Sequence, residues 1–287
     1  MTKVLVTGAG GFSGKALISF LQKSEEFNIV ASDIAGVESS SFRLCELSRI
    51  DAAESLLEEV SPAHIYHLAG SFTNNYELDY SANVLTSKNV LDACLKINLK
   101  AKLLLIGSAA EYGIISAEDN PVSEKHVLNP LSIYGLTKLY QTSLMQYYHR
   151  VYGCNVLMAR PFNILGKGQS DNLFAGRVYE EIAKFKRGEI THITLGNLQN
   201  KRDYFEINNV VHDYALIMKH GTPGEIYNVA SGKSIKVCDL LKQILHENGL
   251  TMDIVSEKAM SCLHKFDVKD IFADITKIQA LRQLVSR

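Results

Sequence analysis

Short apolar runs alternate along this chain with longer segments whose apolar positions recur every three or four residues. The run from Lys3 to Gly8 predicts a buried strand. Residues 13–24 predict a helix with Ala16, Leu17, Phe20 and Leu21 on one face. Asn28–Asp33 predicts a second strand, residues 51–62 a helix closed by Pro62, and His64–Gly70 a third strand. Further on, Asn83 to Leu99 and Tyr134 to Tyr152 predict long helices, and residues 102–110 and 154–164 predict strands. Strand and helix alternating in this way specify an α/β fold. The arrangement expected is a Rossmann-type, doubly wound parallel sheet with right-handed crossovers. The pattern weakens after Gly166. Residues 176–188, 225–231 and 237–249 read as a small C-terminal substrate-binding lobe over the sheet's C-terminal edge. The division expected is residues 1–165 for the dinucleotide and catalysis, and 166–287 mainly for substrate, with some later segments returning to the core sheet.

Composition narrows the partners. With 46% hydrophobic residues in 287, the chain can bury a sizeable core. A net charge of −1 offers no basic surplus to neutralise nucleic acid phosphates or an anionic membrane. No apolar run is long enough to span a bilayer, and the N-terminus enters a strand without the pattern of a signal peptide. The five cysteines, Cys45, Cys94, Cys154, Cys238 and Cys262, are scattered and form no C-x-x-C pair. They read as free thiols of a cytoplasmic protein, with no metal site.

Two patterns carry chemistry. The first is the turn Thr7 to Gly14, with Gly8, Gly11 and Gly14 between a strand and a helix. Glycines permit the tight turn and let backbone approach a pyrophosphate, which the helix N-terminus then attracts. Asp33, at the end of the second strand, suits the two ribose hydroxyls of an adenosine and repels a 2′-phosphate. No basic residue neighbours it in sequence, so NAD is favoured over NADP. The bland alternatives are a ligand-free packing turn and a turn-capping aspartate. The second pattern is Tyr134-x-x-x-Lys138. An ammonium one helical turn away favours a phenolate and lowers a tyrosine pKa that is ordinarily near 10. Ser108, in the loop after the preceding strand, can share a substrate oxygen with Tyr134; the alternative is a helix N-cap.

In this order, the glycine turn, Asp33, Cys45–Leu47, His67–Gly70, Asn83–Val84, the Gly107–Gly113 segment, Tyr134–Lys138, Arg160–Gln169, Lys201–Tyr204 and Tyr227–Gly232 resemble an extended short-chain dehydrogenase/reductase of the nucleotide-sugar epimerase/dehydratase/reductase group. The resemblance implies that Phe12, Ser13, Ile34, Gly70 and Asn83 also lie at the cofactor. It places Glu46 and Leu47 at the adenine, Leu68 and Ala69 beside the ribose and pyrophosphate, and Pro161 on the cofactor side. It implies substrate contacts from Ser108, Ala109, Asn163, Asn172 and Arg177, and a diphosphate grip by Arg202. His264, Lys265 and Lys269 stand where the family carries an Arg-Pro loop.

The family's 4,6-dehydratases keep an acid–base pair where this chain has Ala109 and Ala110, and alanine transfers no proton. Glu111 stands one place later. Residues 195–204 resemble GDP-4-keto-6-deoxymannose reductases and their dehydratase relatives. Reduction of a nucleotide-linked 4-keto-6-deoxyhexose is therefore the first reading. A 4-epimerase or C4 dehydrogenase with tightly held NAD is the second, and a catalytically silent nucleotide-binding scaffold is a third of another class. His67 reads as a packed histidine, and Lys184–Glu189 as a solvated helix end. The Asn83 and Tyr134 helices resemble the family's homodimer interface, with Leu91, Leu139, Leu144 and Met145 either facing a partner or packing in the core.

Overall fold

The computed structural model describes residues 1–257 and 268–285. In chain order its elements are β1 (Thr2–Thr7), α1 (Phe12–Leu21), β2 (Phe27–Asp33), β3 (Phe42–Leu44), α2 (Ile50–Val60), β4 (His64–His67), α3 (Tyr76–Asp79), a π-helical turn at Tyr80–Leu85 and α4 (Thr86–Lys96). These are followed by β5 (Lys102–Ile106), α5 (Ile133–Tyr152), β6 (Val156–Pro161), β7 (Asn163–Leu165), α6 (Phe174–Lys186), β8 (Ile193–Leu195) and β9 (Lys201–Glu206). The last are α7 (Ile207–His220), β10 (Ile226–Val229), β11 (Ser234–Lys236), α8 (Val237–Glu247), β12 (Val255–Glu257), β13 (Asp270–Ile271) and α9 (Thr276–Val285).

Seven strands form a sheet in the order β10-β6-β5-β4-β1-β2-β3, and every pairing in it is parallel. Side-chain alternation splits its core into two layers. Leu5, Leu103 and Leu105 face α2, α4 and α5 through Leu56, Leu57, Val90, Leu91 and Met145. Val4, Val6 and Leu104 face α1 and α7 through Leu17, Leu21, Val210 and Ile217. A separate apolar cluster joins α6, β8 and α8 through Val178, Ile182, Ile193, Leu195, Leu241 and Ile244. This is the lobe, and β7, β9, β11 and β13 form the small sheet beside it.

The expected segments are present with shifted edges. The helix expected from Asn83 begins at Tyr76, where the Asn75 side chain accepts from the Leu78 amide, and contains the π turn. It stops before Leu99, with Asn98 in the left-handed region at φ 51°. The strand expected over 102–110 ends at Ile106, because Ser108 opens a 3₁₀ turn. The strand expected over 154–164 breaks at Phe162 into β6 of the main sheet and β7 of the small one. Residues 225–231, read as lobe, supply β10 at the main sheet's edge. β3 lacked a sequence signal of its own. Leu91 and Met145 are buried in this chain's core, so they do not face a partner.

Candidate active site

Strand-end loops of β1, β4 and β5 meet the N-termini of α1 and α5. Gly8 sits at φ +67°, and a Cβ there would lie 2.5 Å from the Ala69 nitrogen. A Cβ on Gly14 would lie 2.2 Å from the Gly8 carbonyl oxygen. Only glycine permits this approach of β1, α1 and the post-β4 loop. No side chain caps α1 and no acid lies in its first turn, so its N-terminus is open to an anion. These residues fit a dinucleotide pyrophosphate. Phe12 packs toward Gly166, where a Cβ would meet its ring at 2.7 Å.

Asp33 accepts from the amides of Gly10 at 2.8 Å and Ile34 at 2.7 Å. It therefore caps the glycine turn, and its place above that turn also suits a ribose. Ile34 is exposed, as is Glu46, which accepts from the Ser48 hydroxyl. The Leu47 side chain lies in the core and its carbonyl accepts from Asn89, so the expected adenine contact is left to its backbone. Pro161 is buried at the end of β6. Arg43, opposite Ser32 in β3, is taken up by Glu59.

The three candidate catalytic residues converge at the end of β5. Ser108 is the N-cap of the 3₁₀ turn, and its hydroxyl accepts from the Ala110 amide at 3.1 Å. The capping reading of Ser108 therefore holds, and its hydroxyl is close enough to the Tyr134 phenol to act on its proton affinity. A Cβ on Gly135 would sit 2.5 Å from the Ala110 carbonyl, so this glycine lets the turn rest on α5. Lys138 lies 5.8 Å from the Tyr134 ring centroid and donates to the Ile106 carbonyl at 2.8 Å and to Gln141 at 3.2 Å. Phe72 meets the Tyr134 ring edge-on at 4.8 Å.

Electrostatics correct one expectation. Burial pushes the Tyr134 phenol up to about 12; the Ser108 hydroxyl pulls it down, while the Glu111 and Asp79 carboxylates push it further up. Burial holds the Lys138 ammonium down at about 8, against the same two carboxylates. Desolvation and the two anions therefore favour the protonated phenol in the structure described.

Sequence reasoning missed the scaffold behind the trio. Asn83, at the π turn, binds the backbone of Ser71 through both amide atoms and donates to Thr137 at 3.0 Å. Gln141 bridges Ser87 and Lys138. Buried Asp79 gathers the Ser71 hydroxyl and the Thr73 and Asn74 amides; burial raises its carboxyl, but these bonds hold it below the usual range. Asn83 thus orders the post-β4 loop and α5. His67 is packed between Thr7 and Thr86, and burial, with Lys138 nearby, lowers it to about 3, so it stays neutral. The resemblance already picks out Asn83 as a cofactor residue; for Ser87 the signal was a polar residue four places on along the same helix.

Glu111 faces inward. It is fully buried, paired with Arg160 at 2.8 Å, and accepts from Thr142 and the Ser108 amide. Nothing moves it toward the cleft, so it does not replace the missing dehydratase acid. In the lobe, the Asn163 amide donates to the Asp203 carbonyl at 3.1 Å. Arg202 donates to the carbonyls of Lys201 and Val268. Asp203 pins β9 to Ser231, Gly232 and Ala273. Asn172 and Arg177 are exposed around the start of α6. The Lys269 carbonyl accepts from Lys201, whereas His264 and Lys265 lie outside the described residues. Lys184–Glu189 is a solvated helix end, with Arg187 and Glu189 paired. Among the described residues, no helix is long and apolar enough to cross a membrane.

The parallel seven-strand sheet with flanking helices is the fold of an extended short-chain dehydrogenase/reductase. Residues 4–230 match the NAD dependent epimerase/dehydratase family, and the chain belongs to that family. It is similar to the GDP-6-deoxy-D-mannose reductase of Pseudomonas aeruginosa, at 27% identity over 90% of this chain and 84% of the relative. It is also similar to the GDP-6-deoxy-D-talose 4-dehydrogenase of Aggregatibacter actinomycetemcomitans, at 28% identity over 96% of this chain and 90% of the relative. The solved structure of RMD from Pseudomonas aeruginosa complexed with NADPH superposes with a TM-score of 0.84 at 23% identity, covering 98% of this chain and 92% of that one.

Proposed function

We propose that this protein reduces the C4 carbonyl of a nucleotide-diphosphate 4-keto-6-deoxyhexose, with a GDP sugar favoured, in deoxysugar biosynthesis. The observation that carries the reading is the convergence of Ser108, Tyr134 and Lys138 beside an open helix N-terminus and glycine turn. Both relatives named above act on GDP-6-deoxyhexoses, and the 4-dehydrogenase supports C4 as the reacting centre. The nicotinamide supplies the hydride when bound. Gly8, Gly11, Phe12, Ser13 and Gly14 hold its pyrophosphate. Asp33 and Ile34 meet the adenosine ribose, and Glu46 and Leu47 lie at the adenine. Leu68, Ala69, Gly70, Asn83 and Pro161 line the cofactor side, with NAD preferred over NADP.

Ser108 orients the substrate C4 oxygen. Tyr134 gives its phenolic proton to that oxygen as the carbonyl is reduced. A phenol raised by burial is a poor base but is already charged with the proton that reduction consumes. Lys138 stabilises the phenolate left behind. Asn163, Arg202 and, at the cleft entrance, Asn172 and Arg177 hold the diphosphate and nucleotide, a task suited to the forked guanidinium donors. Residues 166–287 thus mainly hold the nucleotide sugar.

A homodimer through the α3–α4 and α5 helices is part of the proposal. On α5, Tyr140, Tyr147 and Val151 share one stripe and are 37%, 47% and 56% exposed. Tyr76 and Tyr80 stack on the neighbouring helix. The free thiols of Cys45, Cys94, Cys154 and Cys238 fit a cytoplasmic setting.

The test incubates purified protein with a panel of nucleotide-diphosphate 4-keto-6-deoxyhexoses and reduced cofactor, following absorbance at 340 nm. Release of tightly bound NAD on denaturation, with turnover of intact nucleotide hexoses alone, would replace this reading by 4-epimerisation.

A further inference from the structure

Next to Ser108 lies a charged cluster buried from solvent. Glu111 and Arg160 are each 0% exposed, yet the carboxylate has four available acceptor directions and three structured donors. Its Oε1 accepts from the Ser108 amide at 2.7 Å. Its Oε2 accepts from Arg160 Nη2 at 2.8 Å and from Thr142 Oγ1 at 2.6 Å. Gly107 leaves room for this, since a Cβ there would stand 2.6 Å from Oε1. Thr142 is not a random partner. Tyr134, Lys138 and Thr142 follow at four-residue steps on α5 and share one face of that helix. One carboxylate therefore holds both the backbone that presents Ser108 and the helix face that presents Tyr134 and Lys138.

A buried ion pair built only for stability has no need to bind these two elements, and hydrophobic replacement is often as stable. Other groups around Lys138 are Asp79 from α3, His67 from β4, the Ile106 carbonyl from β5 and Gln141 on its own helix. Asp79 is engaged by the post-β4 loop, and His67 is neutral. Asp79 and Glu111 both act on Tyr134 and Lys138, and of the two it is Glu111 that also holds the Ser108 turn and Thr142.

We propose that Glu111 is a positioning residue, whose carboxylate locks the Ser108 turn to the α5 face and keeps a fixed negative charge beside Lys138. This rests on the reading of Ser108, Tyr134 and Lys138 as the proton-handling site.

Two measurements test it. In the first, Thr142→Val removes one tie and leaves the Glu111–Arg160 pair in place. We expect kcat to fall about tenfold, because small misplacements of reacting groups are costly, while KM and the Kd for NAD stay within about twofold. Thr142→Ser, which restores the hydroxyl, should recover kcat. Wild-type kcat in Thr142→Val, or equal loss in Thr142→Ser, overturns the proposal. The second needs no substrate. Lysine side-chain NMR, with Lys138 assigned by its loss in Lys138→Arg, follows the Lys138 titration in wild type and Glu111→Gln. The midpoint should fall in Glu111→Gln, because a neighbouring anion is gone; an unchanged midpoint overturns the proposal. If wild type turns over no 4-keto sugar, the proposed reaction fails and the lysine titration alone decides. If Glu111→Gln does not fold, the Thr142 pair decides.

Discussion

Gly14→Ala isolates what the glycine turn does. The added Cβ would stand 2.2 Å from the Gly8 carbonyl oxygen, 2.9 Å from Ala9 Cα and 3.0 Å from Ala9 C. All three are backbone atoms, so no side chain can swing away. Restoring ordinary contact requires the Gly8 carbonyl to retreat by about 1 Å or more. That carbonyl accepts from the Gly11 amide at 3.1 Å, the bond that closes the turn. Overpacking of this kind costs about 1–3 kcal/mol. In a chain of this size that lowers Tm by roughly 2–12 °C. A displacement of about 1 Å in a site built on backbone amides should also weaken NAD by about 10–100-fold.

Stability loss alone must be separated from loss of the site. Gly153 provides the control, with φ +66° and nothing within 4 Å of an added Cβ. It caps α5 at the end opposite Tyr134, about 28 Å away along the helix. Gly153→Ala should cost about 1–2 kcal/mol through its left-handed backbone and leave the Kd for NAD unchanged. Calorimetric NAD binding and thermal melts of both variants complete the comparison. If Gly14→Ala binds NAD within twofold of wild type, or Gly153→Ala loses as much affinity, the turn is not the pyrophosphate cradle.

Tyr134→Phe should lower kcat by about 10²–10⁴-fold and leave the Kd for NAD unchanged by calorimetry; a scaffold would show no catalytic change. Asp33→Ala should narrow the preference for NAD over NADP and, because Asp33 also caps the Gly10 amide, weaken both cofactors; a wild type that prefers NADP would sink the assignment. Arg202→Ala should weaken the nucleotide sugar by about 10–100-fold, with NAD affinity intact in the same titration. Lys138, held down at about 8, keeps its proton below that pH and sheds it above. Reduction should therefore decline as pH rises through about 8, and Lys138→Arg should shift the decline upward; an unshifted profile would assign it to another group.

The glycine turn and the Tyr134–Lys138 helix face were legible because their local constraints are severe. Gly8, Gly14 and Gly135 stand where a Cβ would strike backbone, so glycine marks the position in the sequence itself. Tyr134 and Lys138 were legible by the helical repeat. The edges of elements were not, since a capping side chain such as Asn75 or a left-handed residue such as Asn98 outweighs the apolar run beside it. β3 is short and leans on β2 for its pairing, and β10 reaches the main sheet only by a long return. Such non-local pairing leaves little trace in periodicity.

Glu111 shows the other limit. By position it looked like a displaced acid, and position could not say which way it pointed. Its direction is decided by Arg160 on β6 and Thr142 on α5, residues 49 and 31 places away. Burial then changes what the carboxylate can do. Facing the cleft, it would exchange protons with a sugar. Facing inward and paired, it holds other groups in place and biases their charge. The same separation applies to Tyr134, whose neighbour Lys138 favours a phenolate in sequence while burial and two carboxylates favour the phenol in space. The chemistry of this site follows less from which ionisable residues are present than from which are desolvated together.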